Sequence, residues 1–258
     1  MRPPHPLYFR DLLDKSGQAS RRHFRFAKKI SLIGISDKAS KPEKESNLMR
    51  IGLFGGSFDP VHVGHLWIAE AARETLALDQ VRWIPTATSP LKPAGAVASN
   101  KDRLEMLKQA LVDNPYYELD DREIRRGAVS YTVDTVAELV QEMPDSQFFM
   151  IIGSDSLASF PLWRQPQRLL GLITPAVVQR GGEEAIDFSV LEGLVERDRI
   201  AEIASHVIAM PVIELSSSEL RERVQQGRSI RYRTPRAVER VIRQRGLYRS
   251  PPIANATD

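Results

Sequence analysis

The sequence of 258 residues contains no cysteine, so disulfide bonds and cysteine-ligated zinc sites are excluded. It also lacks any apolar run that approaches the roughly 18 residues of a membrane-spanning helix. No apolar segment near the amino terminus is followed by a small-residue cleavage site, which argues against a secretory signal. These absences predict a cytoplasmic protein with no membrane partner.

A large excess of one charge sign is also missing, and the small excess present is unevenly placed. The formal net charge is +3. Residues 1–48 contain 11 Lys and Arg against 5 Asp and Glu, whereas residues 49–258 contain 25 against 28. The body of the protein is therefore slightly acidic, and nucleic acid is not predicted as a partner.

The charge division also predicts the domain organisation. Residues 1–48 have no clear periodicity and are predicted to be a basic, disordered extension. An upstream start before the true one at Met49, a transit peptide and a nucleic-acid-binding arm stay open as alternatives. Residues 49–249 form the predicted domain, and residues 250–258 a disordered tail.

Within residues 49–249, short apolar runs alternate with segments of helical periodicity. The predicted strands are RIGLF, VRWIP, QFFMIIG, ITPAVVQ and HVIAMPVIEL, with YYELDDREI as a polar edge strand. The predicted helices are HLWIAEAARETLAL, SNKDRLEMLKQALV with a Ser99 cap, VDTVAELVQEM, SSSELRERVQQ and TPRAVERVIRQRG. This alternation predicts an α/β fold with a doubly wound, Rossmann-like parallel sheet and a helical carboxyl-terminal portion. Ligands of such sheets bind beyond the carboxyl ends of the strands.

The segment MRIGLFGGSFDPVHVGHLWIAEAA, residues 49–72, reads as a strand, a glycine turn and a helix. Gly55 and Gly56 allow a positive φ and a close approach of the backbone to a ligand. The helix is predicted to begin near Val63 or Gly64, and backbone N–H groups at a helix start favour bound phosphate. Gly64 is predicted to leave room for a nucleotide.

His62 and His65 are three residues apart, so they project from nearly the same face of this helix. Two imidazole donors beside a phosphate stabilise the charge that develops during phosphoryl transfer. Zinc binding is the alternative, but His5, His23 and His206 offer no evident third ligand, and no metal ligand is predicted. The glycine-rich dinucleotide and P-loop fingerprints are both absent.

Residues 55–65, GGSFDPVHVGH, resemble the GG[ST]FDPxHxGH segment of the HxGH-type nucleotidyltransferases. They are similar to the form found in bacterial nicotinate mononucleotide adenylyltransferases. Four further stretches are similar to segments of that family. They are SPLKP (89–93), with Leu91 in place of a histidine; REIRRGAVSYTVDTVAEL (122–139), matching SYTxxTL; FFMIIGSDSLASFPLWRQPQRLL (148–170), matching GxDxxxxFxxW; and LSSSELR (215–221), matching ISxTxxR with Ser218 in place of threonine.

The resemblance implies adenylyl transfer from ATP to nicotinate mononucleotide, giving nicotinate adenine dinucleotide and pyrophosphate in NAD biosynthesis, with Mg²⁺ bound mainly through the ATP phosphates. It also implies a role for each matching residue. The catalytic residues are His62, His65, Arg221 and Lys92. The ATP-binding residues are Gly55, Gly56, Ser57, Phe58, His65, Gly153, Asp155, Ser216, Ser218 and Arg221. The residues for the mononucleotide are Thr132, Trp163, Lys92 and Arg180.

Several of these residues also have ordinary structural interpretations. Ser216 with Glu219 reads as a capping box, and Thr132 as an N-cap. Trp163 reads as a core aromatic, and Arg180 as a surface arginine.

The alternative functions share part of the motif set. A sibling enzyme would use nicotinamide mononucleotide or phosphopantetheine as the phosphate acceptor. An aminoacyl-tRNA synthetase fragment and a catalytically silent nucleotide-binding regulator are the other two candidates. A homo-oligomer is allowed by the sequence but not specified by it.

Overall fold

A computed structural model of the protein describes residues 48–88, 90, 95–182 and 184–249. The predicted extension, apart from Leu48, and the predicted tail lie outside the described residues, as does Lys92. Within the described part, no helix is long and apolar enough to cross a membrane.

The described chain forms a six-stranded sheet in which every adjacent pair of strands is parallel. The strands are β1 (Met49–Gly56), β2 (Gln80–Pro85), β3 (Tyr117–Leu119), β4 (Ser146–Gly153), β5 (Thr174–Arg180) and β6 (Val207–Met210). Their order is β3-β2-β1-β4-β5-β6, so the chain runs outward from the centre twice, in opposite directions. This order confirms the predicted doubly wound sheet. It also opens a crevice at the carboxyl ends of β1 and β4.

The helices connect these strands and account for the periodic segments of the sequence. They are α1 (Val63–Thr75), α2 (Asn100–Leu111), α3 (Arg122–Arg126), α4 (Thr132–Glu142), α5 (Ser154–Ala158), α6 (Pro166–Leu172), α7 (Arg197–Ala204), α8 (Ser217–Gln225) and α9 (Arg236–Gln244). Ser99 caps α2 as predicted, because its hydroxyl accepts the N–H of Asp102 at 3.1 Å.

Two strand predictions were too long. Of YYELDDREI, only Tyr117–Leu119 is a strand. Arg122–Arg126 is a short helix, because the Asp120 carboxylate turns the chain by accepting both the backbone and the side-chain N–H of Arg122. The last strand ends at Met210, since Pro211 has no N–H with which to continue a ladder.

Both faces of the sheet are buried, as a doubly wound fold requires. Along β4, Phe149 and Ile151 belong to one core cluster, whereas Phe148, Met150 and Ile152 belong to another. The first cluster contains residues of α1, α2, α8 and α9, and the second contains residues of α4, α6 and α7. The helical carboxyl-terminal portion thus packs on the same face of the sheet as α1.

Candidate active site

A cleft of about 970 Å³ lies at the carboxyl edge of the sheet, where β1 and β4 end side by side. Its walls include the first residues of α1, α4, α5 and α8. Helix starts present unpaired backbone N–H groups and a partial positive charge. The cleft is therefore suited to a ligand with several anionic groups.

The glycine pair at the end of β1 differs from the prediction. Neither Gly55 nor Gly56 has a positive φ; the residue in the left-handed region is Phe58, with φ +47°. A Cβ on Gly56 would lie 3.1 Å from the Phe58 ring, so Gly56 makes room for that ring. A Cβ on Gly55 would meet only the Ile84 carbonyl, at 4.0 Å, and the missing side chain leaves the cleft open.

Phe58 itself lies beneath the loop and not on the cleft surface. Its ring is 1% exposed and packs against Phe54, His65 and Trp83, with centroids 5.2–5.5 Å apart. Its side chain is part of the core under the histidines. Ser57, by contrast, is exposed and lines the cleft.

His62 and His65 stand at the start of α1 with their rings stacked 3.6 Å apart at 25°. The His62 backbone N–H donates to Nδ1 of His65 at 3.2 Å, which leaves Nε2 of a neutral His65 as the protonated nitrogen. A Cβ on Gly64 would come within 3.0 Å of the His62 ring. Gly64 therefore makes room for this ring as well as lining the cleft.

Both imidazoles are neutral at pH 7. Burial, with a smaller contribution from the positive charge of Arg180, lowers the pKa of His62 to about 4. Burial and the neighbouring His62 hold the pKa of His65 well below its ordinary value. A neutral imidazole donates one hydrogen bond without adding a charge to the cleft.

The start of α8 also lines the cleft and carries the predicted hydroxyls and arginine. Ser216 caps the helix, with its hydroxyl accepting the N–H of Glu219 at 3.1 Å. Arg221 donates to the Ser218 hydroxyl at 3.1 Å and to the Asp59 carbonyl at 2.7 Å. The Glu219 carboxylate does not close a capping box; it pairs with Arg233 at 2.8 Å.

The start of α4 forms a third part of the cleft. Tyr131 is the N-cap, so the structural interpretation of Thr132 as a cap was wrong: Thr132 is the first residue of the helix, and its N–H has no intrahelical acceptor. Beside it lies Glu123, which lines the cleft floor and accepts from the Thr135 hydroxyl at 2.9 Å. Burial raises the pKa of the Glu123 carboxyl.

The end of β4 supplies the remaining predicted residues. The Asp155 carboxylate folds back over Gly153, where a Cβ would lie only 2.6 Å from its Oδ1. The Trp163 ring lines the cleft, stacks on Phe160 with centroids 5.0 Å apart, and donates from Nε1 to the Ser159 hydroxyl at 3.4 Å. Arg180, exposed at the end of β5, also lines the cleft.

The structure brings the described candidates together around one cleft, except for the Phe58 side chain. Sequence reasoning missed Glu123, and it assigned no role in the site to Asp59. Asp59 is 2% exposed and accepts three hydrogen bonds, from Val97, Ala98 and Tyr248. A signal was present, since an aspartate inside an otherwise apolar buried segment needs donors.

Paired imidazoles at a helix start beyond the first strand of a doubly wound sheet define a class of nucleotidyltransferases. A sequence model described as cytidylyltransferase-like matches residues 53–223 of this chain. The "Probable nicotinate-nucleotide adenylyltransferase" of Rhodopirellula baltica is 50% identical over 211 residues, which are 82% of this chain and 98% of that protein. Its namesake from Synechococcus sp. strain JA-3-3Ab is 43% identical over 204 residues, covering 78% and 96%. The chain therefore belongs to the nicotinate-nucleotide adenylyltransferase family, which confirms the resemblance noted in the sequence.

Solved structures share the fold at low sequence identity. The nicotinic acid mononucleotide adenylyltransferase of Plasmodium falciparum matches with a TM-score of 0.58 in its complex with APC and 0.59 in its complex with NaAD. The identities are 15% and 16%, and the matches cover 78% and 77% of this chain and 97% of that one. At these identities the likeness concerns the fold alone.

Proposed function

We propose that this protein transfers the adenylyl group of ATP to nicotinate mononucleotide. The observation that carries the proposal is that one cleft combines the α1 histidine pair with the open N–H groups at the start of α4. The histidine pair suits a transferring phosphoryl group, and the open N–H groups of α4 suit a small carboxylate. The names of the relatives support the same substrates.

The chemistry needs no protein nucleophile. A phosphate oxygen of the mononucleotide attacks the α-phosphorus of ATP, the bond from that phosphorus to the bridging oxygen breaks, and pyrophosphate leaves with the bonding electrons. The protein holds the attacking and leaving groups in line and stabilises the developing charge. The products are nicotinate adenine dinucleotide and pyrophosphate.

We assign the transferring phosphoryl group to His62 and His65, whose neutral rings face the cleft at the start of α1. Ser216, Ser218 and Arg221 hold the leaving pyrophosphate. The wall formed by Gly55, Gly56, Ser57 and Gly153 receives the nucleotide, with Asp155 on a ribose hydroxyl. Phe58 supports this wall from below. Lys92 and Arg180 are assigned to phosphate groups.

The pyridine end of the mononucleotide is assigned to the start of α4. The open N–H of Thr132 donates to the nicotinate carboxylate, and the ring packs on Trp163. Glu123 also lines this part of the cleft, and burial raises the pKa of its carboxyl. This arrangement favours nicotinate over nicotinamide.

Mg²⁺ is proposed to arrive bound to ATP. Among the described residues, no group of three or more His, Asp or Glu side chains could hold a metal ion. The residues therefore fit a cation held by phosphate oxygens, which neutralises the charge of the leaving pyrophosphate. We also propose a cytoplasmic location, where ATP is available.

The testing experiment is pyrophosphate release with ATP and Mg²⁺, comparing nicotinate mononucleotide, nicotinamide mononucleotide and phosphopantetheine as acceptors. We expect release that depends on nicotinate mononucleotide and is much slower with the other two. Release with another acceptor alone would keep the adenylyl transfer and overturn the assigned pyridine site. Binding of ATP without release by any acceptor would favour the non-catalytic regulator.

We expect His65→Ala to lower turnover by about 10²–10³-fold, as the loss of one preorganised donor does in other enzymes. His206→Ala is the matched control, since His206 lies just before β6, at the opposite edge of the sheet from the cleft. Near-normal turnover of a folded His65→Ala protein would contradict the assignment.

A further inference from the structure

The turn that leads into the histidine pair is held by residues from the far end of the chain. The carbonyl of Asp59 accepts from Arg221 at 2.7 Å, and the carbonyl of Pro60 accepts from the Ser217 hydroxyl at 2.8 Å. The carbonyl of Val61 accepts from the Thr234 hydroxyl at 2.7 Å. Three consecutive carbonyls thus depend on three side chains that are 157–173 residues away in the sequence.

The Asp59 side chain is the centre of this arrangement. Its Oδ1 accepts from the Tyr248 hydroxyl at 2.6 Å and from the Ala98 N–H at 3.2 Å, and its Oδ2 accepts from the Val97 N–H at 2.6 Å. The Arg221 guanidinium stands 4.0 Å from the same Oδ2. A buried carboxylate and a guanidinium at this separation attract each other strongly. Tyr248 holds Oδ1 of the carboxylate, while Arg221 is attracted toward Oδ2.

The position of Arg221 depends on how firmly this carboxylate is held. In the structure its two terminal nitrogens donate to the Asp59 carbonyl and to the Ser218 hydroxyl, and the side chain lines the cleft. If the carboxylate lost its bond to Tyr248, it would turn toward the guanidinium and draw it away from Ser218. The arginine would then be a poorer ligand for pyrophosphate.

Tyr248 is well placed to prevent this. It follows α9 with φ +61°, and its hydroxyl also lies 3.9 Å from the Met106 sulfur in the core. Burial and the bond to Asp59 raise its pKa, so the hydroxyl is protonated and donates at neutral pH. Tyr248 is not among the residues that line the cleft, so it cannot touch a substrate there.

We propose that Tyr248 is a positioning residue for adenylyl transfer: by holding the Asp59 carboxylate, it keeps the Arg221 guanidinium directed at the leaving pyrophosphate. The inference rests on the proposed function for its kinetic consequence. Its structural consequence, the affinity of the cleft for pyrophosphate, is independent of which mononucleotide is the acceptor.

The test compares Tyr248→Phe with Tyr117→Phe. Tyr117, on β3 at the sheet edge, donates to the Glu70 carboxylate at 2.7 Å, and burial raises its pKa in the same way. The two substitutions remove the same kind of bond, one beside Arg221 and one outside the cleft. Urea unfolding first establishes that both variants fold and how much each is destabilised.

We expect Tyr248→Phe to weaken pyrophosphate binding, measured by calorimetry on the full chain with Mg²⁺, by about tenfold, the effect of one hydrogen bond that orients a charged group. It should lower kcat/KM for ATP by a similar factor and leave the KM for nicotinate mononucleotide unchanged. Tyr117→Phe should leave all three quantities within about twofold of the original. Equal effects of the two variants on pyrophosphate affinity would overturn the proposal.

The Arg221→Ala background separates positioning from general stability. If Tyr248 acts through Arg221, adding Tyr248→Phe to Arg221→Ala should not weaken pyrophosphate binding further. A further tenfold loss would contradict the proposal. If Tyr248→Phe does not fold, Asp59→Asn tests the same point: it removes the charge that attracts Arg221, so pyrophosphate affinity should fall less than in Arg221→Ala, and an equal or larger fall would overturn the proposal.

The proposed function can fail without affecting this test. If no acceptor supports pyrophosphate release, the adenylyl transfer is wrong, while the calorimetric comparison of Tyr248→Phe with Tyr117→Phe still decides whether Tyr248 positions Arg221.

Discussion

The stacked pair of His62 and His65 is neutral because the fold, and not the residue type, sets its charge. Burial is the main cause of the lowered pKa in both rings, with a smaller contribution from Arg180 for His62 and from the neighbouring His62 for His65. When a triphosphate enters, its negative charge acts in the opposite direction.

The same shift predicts how stability depends on pH. The pKa of His62 is about 4 in the folded state, below its ordinary value of 6.5, so the unfolded chain binds more protons between these values. The stability contributed by the neutral ring is present above about pH 6.5 and is lost as the pH falls toward 4, a loss on the order of 3 kcal/mol. Urea unfolding at pH 7 and at pH 4.5 measures it. His62→Asn should flatten this dependence, and His206→Asn should not; equal slopes in both variants would contradict the assignment.

At the scale of the element, the N-cap serines of α2 and α8 separate a role in helix stability from a role in ATP binding. Ser99 and Ser216 are both exposed N-cap serines whose hydroxyls accept an N–H at 3.1 Å, one on α2 and the other on α8. Replacing either with alanine should cost about 1 kcal/mol of unfolding free energy. Only Ser216→Ala should also raise the KM for ATP, by about threefold to tenfold, because only Ser216 lines the cleft. Urea unfolding and steady-state kinetics on both variants test this prediction. A KM increase of the same size in Ser99→Ala would contradict the assignment of Ser216 to the phosphate site.

These caps also indicate what could be predicted from the sequence. Ser99 and Ser216 each precede their helix by one residue. The sequence signal for a cap and the hydrogen bond that forms it therefore both lie within a few residues. The strand that was predicted through Asp120 and Asp121 failed because a single carboxylate, bonded to Arg122, turned the chain where the apolar pattern alone continued it. The placement of Phe58 under the loop was missed for a related reason, since its φ depends on the packing of the ring below.

At the scale of the whole molecule, the cleft-lining residues that the structure describes lie between residues 53 and 221. We therefore expect a protein that begins at Leu48 to retain kcat and both KM values within about twofold of the full chain. Removing residues 1–47 would also change the net charge from basic to acidic, since the first 48 residues contain 11 Lys and Arg against 5 Asp and Glu and the remainder 25 against 28. Pyrophosphate release by the two forms, at equal salt, checks this. Loss of turnover in a shortened protein that still unfolds cooperatively would show that the amino-terminal residues take part.

Contacts between distant parts of the chain were the ones that no local pattern could predict. The sheet order followed from the alternation of strands and helices, and the cleft from that order. The bond between Asp59 and Tyr248 joins residues 189 positions apart and has no local signature in either segment. The predicted site residues that line the cleft lie near strand ends and helix starts. The prediction did not include side chains, such as Tyr248, that hold these residues in place from outside the cleft.

The long-range hydrogen bonds that hold the turn at residues 59–61 have a consequence for how the protein is made. The carbonyls of residues 59, 60 and 61 accept hydrogen bonds from Arg221, Ser217 and Thr234. The carboxylate of Asp59 accepts one from Tyr248. These partners are synthesised last, and contacts between distant residues form late in folding. A nascent chain can thus build its central sheet while the ribosome is still elongating it. It becomes competent for catalysis only after the final helix has left the ribosome.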